Sequence, residues 1–228
     1  MELVDALRTT GAVRKYLDEA IADDVVYRIL DTARFAPSGG NRQAWRVIVV
    51  RDPNTRAKLR DCYRAAWPEY LAQARADLVP WAPLNDREAE RRAFEAVPAI
   101  DAELAQGPGA FANRLDKAPV VLAVFASLGD LAAVDRDVDR YPFAGGGSVY
   151  PFAWSVLLAA RAEGLGGVIT TIAIRKETAV RELLGVPDAF ALAAVIALGR
   201  PAREVRRLRR EPVEAFATID GFTGSPLR

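Results

Sequence analysis

Short apolar runs impose the strongest constraint on what this chain can fold into. They occupy residues 45–50, 119–126, 168–171 and 190–198, and they consist largely of β-branched and small apolar residues. Each run is far shorter than the roughly 20 residues that a membrane-spanning helix needs. Runs of this length and composition are typical of buried β-strands. The sequence therefore predicts a buried sheet in a protein that does not enter a membrane.

Amphipathic segments separate these runs and predict helices. Residues 21–36 have apolar side chains at helical spacing, with Asp23 as a candidate N-cap, and the following Pro37 disfavours helical backbone before it. Residues 52–54, Asp-Pro-Asn, are typical of a turn. Further helices are predicted at residues 2–8, 54–66, 148–163 and 175–184.

One domain accounts for the whole chain, residues 1–228, because no linker or internal repeat divides it. Residues 67–117 have weak periodicity, charged Ala-rich stretches and several prolines, and we interpret them as helices that form a lid or insertion over the body. A solvated helical hairpin is the alternative for this segment. Residues 200–228 also lack strong periodicity, and we interpret them as a C-terminal arm.

The absence of histidine narrows the chemistry. The 228 residues include 31 Lys and Arg, 30 Asp and Glu, no His and a single cysteine, Cys62. Nucleophilic systems that need histidine, His-ligated zinc, cysteine-cluster metal sites and intrachain disulfides are excluded. The net charge of +1 argues against bulk electrostatic binding of nucleic acid. Reactivity has to come from carboxylates, lysines, hydroxyls or a bound cofactor, in a protein that we expect to be cytoplasmic because its N-terminus lacks the apolar stretch of a signal peptide.

The segment Ala36 to Trp45, with the sequence APSGGNRQAW, is a candidate binding loop. Its glycines permit close approach of the backbone to a ligand, and the amides of Asn41 and Gln43 each offer a donor and an acceptor to a heterocycle. A turn whose amides are satisfied locally explains the same residues equally well. Two other glycine-rich pieces, 145–148 and 164–167, are typical of helix boundaries rather than of phosphate loops.

Arginines are concentrated near both ends of the chain. Arg8 and Arg14 form one group, and the other comprises Arg206, Arg207, Arg209 and Arg210. If the two groups converge, they form an anion site, because arginine offers charge-assisted bidentate hydrogen bonds. A solvated basic run, or less plausibly a nucleic-acid contact, is the alternative.

Several segments, taken in order, resemble the nitroreductase family of FMN-dependent oxidoreductases. They are Val13-Arg14-Lys15-Tyr16, the loop APSGGNRQAW, the segment GLGGVITT, and Gly199-Arg200 with the Arg-rich stretch before Pro212. The resemblance implies an α+β fold with a central, mostly antiparallel sheet flanked by helices. It also implies an intertwined homodimer with one FMN at each of two sites between the subunits.

The resemblance further implies the reaction. FMN would take hydride from NADPH or NADH and pass electrons to a flat small-molecule acceptor, such as a nitroaromatic or a quinone, in a ping-pong sequence. Because the flavin carries the redox chemistry, no side chain is expected to act as a catalytic acid or base, and no metal is expected.

The resemblance also implies which residues bind the cofactor. Arg14 matches the last arginine of the family's phosphate-binding segment, but Thr10, Gly11 and Ala12 stand where the family has Arg-Arg-Ser. We therefore expect Arg8 or the C-terminal arginines to substitute. The loop would contact the ribityl and pyrimidine portions of the flavin, and residues 169–171 would lie against its ring. The expected cofactor-binding residues are Arg8, Arg14, Ser38, Gly39, Asn41, Gln43, Ile169, Thr170, Thr171, Arg207, Arg209 and Arg210.

Other functions share these residues. Relatives with the same fold reductively remove iodine from iodotyrosine or fragment flavin with oxygen, and a non-catalytic flavin-binding regulator is a further alternative. The segment 67–117 would decide between the enzymatic reactions, with Trp67, Tyr70 and Trp81 either stacking on a substrate or forming the core of the lid.

Overall fold

The chain folds around a four-stranded sheet, described here in a computed structural model for residues 2–106, 111–203 and 207–228. The strands are β1 (Trp45–Val49), β2 (Val120–Ser127), β3 (Gly166–Thr170) and β4 (Phe190–Gly199). The helices are α1 (Leu3–Thr9), α2 (Asp23–Ala33), α3 (Pro53–Arg75), α4 (Arg87–Phe94), α5 (Val97–Gln106), α6 (Tyr150–Ala162) and α7 (Glu177–Leu184). Every strand corresponds to one of the apolar runs, so the prediction of the strands is confirmed.

The strands pair in the order β1–β2–β4–β3, and all three pairings are antiparallel. β2 and β4 occupy the centre, which explains why their sequences are almost continuously apolar. β1 and β3 are the edge strands of this four-stranded sheet. The expectation of a mostly antiparallel sheet is confirmed.

Helices cover both faces of the sheet, and β2 shows how the sequence specifies this. Successive side chains of a strand point to opposite faces. The even-numbered residues of β2 join a core beneath α2 and α6, whereas its odd-numbered residues, including the fully buried Phe125, join a second core beneath α3 and α7. The architecture is therefore α+β, as expected.

Close approach between β3, β4 and α6 requires glycine at one position. A Cβ atom on Gly167 would lie 2.4 Å from Leu198 Cδ2, 2.7 Å from the carbonyl oxygen of Ala197 and 3.0 Å from Leu157 Cδ2. The backbone oxygen cannot move without disturbing the pairing of β3 with β4. The last glycine of GLGG thus serves packing of the sheet.

The boundaries of α2 and α3 differ from the sequence prediction. α2 has Ala22 as its N-cap and ends at Ala33, so the capping role of Asp23 is wrong. The Asp23 carboxylate instead lies in the first turn and pairs with Arg51. The predicted turn at 52–54 is the beginning of α3, where Asp52 accepts a hydrogen bond of 2.7 Å from the N–H of Thr55. Aspartate before proline suits a helix start as well as a turn, because proline is favoured in the first helical turn.

The segment 67–117 is largely helical where the structure describes it. α3 continues beyond its predicted end, through the buried Pro68, and α4 and α5 follow. The residues described in the arm 200–228 contain one 3₁₀ turn, Val213–Ala215, an isolated bridge between Thr218 and Pro226, and a bridge from Pro201 to Tyr16. The roles of these segments as lid and arm stay predictions. Across the described ranges, no helix is both long enough and apolar enough to cross a bilayer.

Candidate functional site

The first and last segments of the chain meet beside β3. The backbone N–H of Val13 donates to the carbonyl of Gly167 at 2.8 Å, which adds the N-terminal segment to the edge of the sheet. The backbone N–H of Leu208 donates to the carbonyl of Arg8 at 2.8 Å. The structure thus brings together the two groups of arginines. We call the region formed by Arg8, Arg14, Arg207 and Arg209 the arginine corner.

The arginine corner carries positive charge that nearby carboxylates do not offset. All four side chains are exposed. Arginines elsewhere, such as Arg28 and Arg200, pair with glutamates, but none of these four forms an ion pair within the described part of the chain. Exposed guanidinium groups without carboxylate partners are suited to an anion such as a phosphate.

The residues that depart from the family's phosphate-binding segment pack against the C-terminal segment. A Cβ atom on Gly11 would lie 2.8 Å from Leu208 Cδ2, so a larger residue there would displace Leu208. Thr10 is only 6% exposed, and its buried hydroxyl has no hydrogen-bond partner among the described residues. The departure therefore accompanies the docking of Leu208 and leaves one polar group available to a ligand.

The C-terminal arginines differ from one another in their surroundings. Arg207 and Arg209 flank Leu208, whereas the guanidinium of Arg210 donates to the carbonyl of Arg209 at 2.7 Å. Arg206 lies outside the described residues. Of the candidates in this segment, Arg207 and Arg209 are therefore placed best for an anion beside Arg8.

The end of β3 lies next to the arginine corner. Ile169 is half-buried, Thr170 is buried and Thr171 is exposed. Tyr63 of α3 reaches this strand: burial raises the pKa of its phenol, while a hydrogen bond with Thr170 and the charge of Arg14 act in the opposite direction. Arg14, Tyr63 and residues 169–171 thus lie close together.

The candidate loop has an unusual backbone. Gly40, Asn41 and Gln43 have φ angles of 59°, 53° and 50°. Such angles are unfavourable for residues other than glycine and are often found at functional sites. Ser38 holds the loop, because its hydroxyl accepts a hydrogen bond of 2.9 Å from the N–H of Gln43. The side chains of Asn41 and Gln43 are exposed and joined only by a long contact of 3.5 Å, so their amides are available to a ligand.

The loop and the arginine corner lie at opposite corners of the sheet. The loop leads into edge strand β1, and three strand spacings, roughly 14 Å in total, separate β1 from β3. Trp45 lies level with Ala191 of β4, through Ala126 of β2. Gly167 lies level with Leu198, and the distance along β4 from residue 191 to residue 198 adds about 23 Å. A diagonal of roughly 27 Å across the sheet therefore separates the two corners of one chain.

The segment that follows β2 supports the candidate loop. The N–H of Gly39 donates to the hydroxyl of Ser148 at 3.3 Å, and a Cβ atom on Gly39 would lie 2.8 Å from that of Ala132. Asp135 fixes this segment, since its carboxylate accepts hydrogen bonds from the N–H of Phe143 at 2.8 Å and from Arg140 at 2.8 Å. A cavity of about 310 Å³ beside it is lined by residues that include Tyr141, Phe143 and Tyr150.

Low pH should weaken the segment that supports the loop, because protonation of Asp135 weakens the hydrogen bonds that its carboxylate accepts. The hydrogen bond from Phe143, followed by that from Arg140, lowers the pKa of the Asp135 carboxyl to about 2. Its stabilising contribution is therefore complete above the ordinary aspartate pKa of about 3.9 and disappears as the pH falls toward about 2. We expect the melting temperature to fall less steeply between pH 5 and pH 2 for Asp135→Asn than for the unmodified chain. Asp137→Asn is the control, because Asp137 is 85% exposed and pairs only with its neighbour Arg136. If the melting temperatures of all three proteins fell equally steeply between pH 5 and pH 2, the role of Asp135 would be contradicted.

Aromatic side chains form a continuous row on the α3 side of the site. Trp67 stacks on Tyr70 with ring centroids 4.9 Å apart, and Tyr63 and Trp81 extend the row at 6.0 Å and 6.2 Å. We call Tyr63, Trp67, Tyr70 and Trp81 the aromatic row. The three expected residues are brought together, and Tyr63 is an addition. Its position could have been found from the sequence, because residues 63, 67 and 70 recur at helical spacing.

Comparison with known proteins matches most of this chain to one protein family. The family model described as "Nitroreductase family" matches residues 7–200. A protein named NADH dehydrogenase from Thermus thermophilus is 32% identical over 203 residues, which cover 89% of this chain and 88% of that protein.

Solved structures show the same fold. A BluB-like flavoprotein from Clostridium difficile 630 superposes with a TM-score of 0.68 at 20% identity, covering 97% of this chain and 100% of the other. Oxidised iodotyrosine deiodinase bound to FMN and 3-iodo-L-tyrosine superposes with a TM-score of 0.65 at 21% identity, with coverage of 97% and 100%.

Proposed function

The chain belongs to the nitroreductase family, and from that premise we propose that it is an FMN-dependent oxidoreductase that takes hydride from NADH or NADPH. Its acceptors would be nitroaromatics, quinones or similar flat molecules, reduced in a ping-pong sequence. The observation that carries the proposal is the arginine corner, which holds uncompensated positive charge beside the end of β3.

The residues present fit FMN. Arg8, Arg14, Arg207 and Arg209 would hold its phosphate, and the buried, unpartnered hydroxyl of Thr10 offers a further polar contact. Residues 169–171 would lie along the flavin ring, and the amides of Asn41 and Gln43 suit the alternating donors and acceptors of its pyrimidine edge. The bound flavin supplies the hydride and electron chemistry, while the chain's residues bind and orient it. No side chain is proposed as an acid or base.

We propose that the functional unit is a homodimer. The two groups of candidate residues lie at opposite corners of one chain, so each complete site would combine the arginine corner of one copy with the loop of the other. Exposed apolar side chains at both ends of the chain support this arrangement, among them Leu3 at 67%, Phe216 at 72% and Phe222 at 100% exposure. Side chains of this kind are typical of surfaces covered by a partner.

A titration tests the proposed activity directly. The purified chain, reconstituted with FMN, should lose its yellow absorbance when NADH or NADPH is added without oxygen, and an acceptor should restore it. An iodotyrosine substrate and an aerobic incubation belong in the same acceptor panel, because release of iodide or loss of flavin would indicate the alternative reactions. A chain that cannot be loaded with FMN, or whose FMN neither nicotinamide reduces, would refute the proposal.

Mixing two defective variants should restore FMN binding if sites form between copies. One variant, Asn41→Gly with Gln43→Gly, removes the loop amides while glycine keeps the positive φ angles without strain. The other, Arg14→Gln with Arg209→Gln, alters the arginine corner. Random assortment of co-expressed subunits makes half of the dimers mixed, and each mixed dimer has one unaltered site. About a quarter of all sites should therefore bind FMN normally.

Each variant expressed alone is the control for this experiment and should show weakened binding throughout. If the mixture binds no better than the average of the two single preparations, then the two corners do not combine across subunits. Sedimentation of the mixture shows whether dimers are present.

A further inference from the structure

Arg175 lies at the outer end of the aromatic row, on the short turn Ile172–Lys176 that directly follows residues 169–171. Its guanidinium carbon is 5.5 Å from the ring centroid of Trp81. Its Nε donates to the carboxylate of Glu69 at 3.3 Å. Within the described ranges its terminal nitrogens have no hydrogen-bond partner, although a guanidinium offers five donors. The side chain is 49% exposed, so these donors are accessible.

Buried Gln73 fixes the surroundings of Arg175. Trp81 has a φ of 56°, an unfavourable angle for a bulky residue. The structure holds it there because the Trp81 N–H donates to Gln73 Oε1 at 2.8 Å. The Gln73 amide nitrogen donates in turn to the carbonyl of Glu69 at 3.2 Å. One fully buried side chain thus joins the backbones of the two residues, Glu69 and Trp81, whose side chains contact Arg175.

The region around Arg175 has little net charge, so it does not attract anions by long-range electrostatics. Glu69 and Glu90 offset Arg175 and Arg87, since Glu90 pairs with Arg87 at 2.7 Å and lies close enough for the charge of Arg175 to help lower its pKa. A ligand would therefore be selected by its hydrogen bonds to the terminal nitrogens. The terminal nitrogens of Arg175 are donors only, so they favour a ligand that brings oxygen atoms.

We propose that Arg175 is a specificity-determining residue that binds the carboxylate of a flat aromatic acceptor lying against the aromatic row. The proposal rests on the proposed function, because the row leads from Tyr63, beside Thr170, to Arg175. Aromatic rings offer stacking surface to a flat molecule. The paired terminal nitrogens of arginine match the two oxygens of a carboxylate. The substrate class is therefore an aromatic acceptor with a carboxylate at the end away from the reduced group.

Two acceptors that differ only in charge test the proposal. With the FMN-loaded protein and NADH or NADPH, Arg175→Gln should raise the KM for 4-nitrobenzoate by about tenfold, the effect of losing a single charge-assisted contact. The KM for neutral 4-nitrobenzamide and both kcat values should change by less than about twofold. Arg175→Lys, which keeps the charge without the planar pair of donors, should give an intermediate KM for 4-nitrobenzoate. An equal change for both acceptors would overturn the proposal.

Arg75→Gln is the matched control, because Arg75 is 50% exposed and pairs with Glu103 in the same part of the chain but contacts no aromatic ring. It should leave the KM values for both acceptors unchanged. A second measurement needs no turnover. The Kd for benzoate, measured by calorimetry on the FMN-loaded protein, should be about tenfold higher for Arg175→Gln than for the unmodified chain. If the protein binds benzoate through Arg175 but neither NADH nor NADPH reduces its FMN, the proposed function fails and this inference stands. Equal benzoate affinity of the two proteins, or an absence of benzoate binding by both, would overturn it.

Discussion

Replacing Arg14 and Arg209 together by glutamine should weaken FMN binding by about a hundredfold. A hydrogen bond to a charged group contributes about 1.5–3 kcal/mol net, and the lower value suits side chains that are exposed to solvent. Each lost contact then corresponds to roughly a tenfold change in Kd. The two arginines come from opposite ends of the chain, and neither pairs with a carboxylate in the described residues. Their loss should therefore remove interactions with the ligand and leave the fold intact. Fluorescence titration of the apoprotein with FMN measures the effect.

Riboflavin gives this experiment an internal control, because it carries the same ring without the phosphate. Its affinity should be nearly the same for the unmodified chain and the double variant. Arg91→Gln with Arg114→Gln removes the same charge from exposed positions outside the arginine corner and should leave FMN affinity unchanged. A loss of riboflavin affinity equal to that of FMN would mean that Arg14 and Arg209 do not bind the phosphate.

Gly167→Ala should cause a large loss of stability for a single added methyl group. Its Cβ atom would lie 2.7 Å from the backbone oxygen of Ala197 and 2.4 Å from Leu198 Cδ2. Overpacking of a core costs about 1–3 kcal/mol, and more where backbone has to move. For a chain of this length each kcal/mol lowers the melting temperature by about 2–4 °C, so we expect a fall of roughly 5–10 °C. Thermal unfolding followed by circular dichroism measures it.

Gly129→Ala is the matched control for that substitution. No atom lies within 4 Å of the position of its Cβ, and its φ angle is not in the left-handed region. The control should melt within about 1–2 °C of the unmodified chain, as most surface substitutions do. Equal melting temperatures for Gly167→Ala and Gly129→Ala would show that β3 and α6 can separate to admit the methyl group.

The strands could be predicted from the sequence because burial on both faces leaves a continuous apolar run, as in β2. Helix ends were less predictable. Asp52 and Pro53 suit both a turn and a helix start, and the choice depends on what packs afterwards: Leu59 and Tyr63 of α3 bury themselves against the sheet. The predicted helix ended at residue 66, but α3 continues through Pro68, because its packing outweighs the loss of one backbone hydrogen bond.

The candidate site was predictable in its parts but not in its arrangement. Glycines and amides marked the loop, and the two arginine groups were visible as charge clusters. Their separation follows from the order of the strands, which places β1 and β3 at opposite edges, and no local pattern encodes that order. Arg175 carried no local signal, because its contact with Trp81 depends on a turn with positive φ angles at Asp77 and Trp81.

The hydrogen bond between Arg8 and Leu208 joins residues from both ends of the chain, so the arginine corner can form only after residue 208 has been synthesised. The ribosome synthesises residues 8–14 early, but their partners at 207–209 leave the exit tunnel only after the whole sheet has emerged. The phosphate would have no complete binding partner during translation. Capture of the vitamin-derived nucleotide is therefore a late event in the life of the nascent polypeptide.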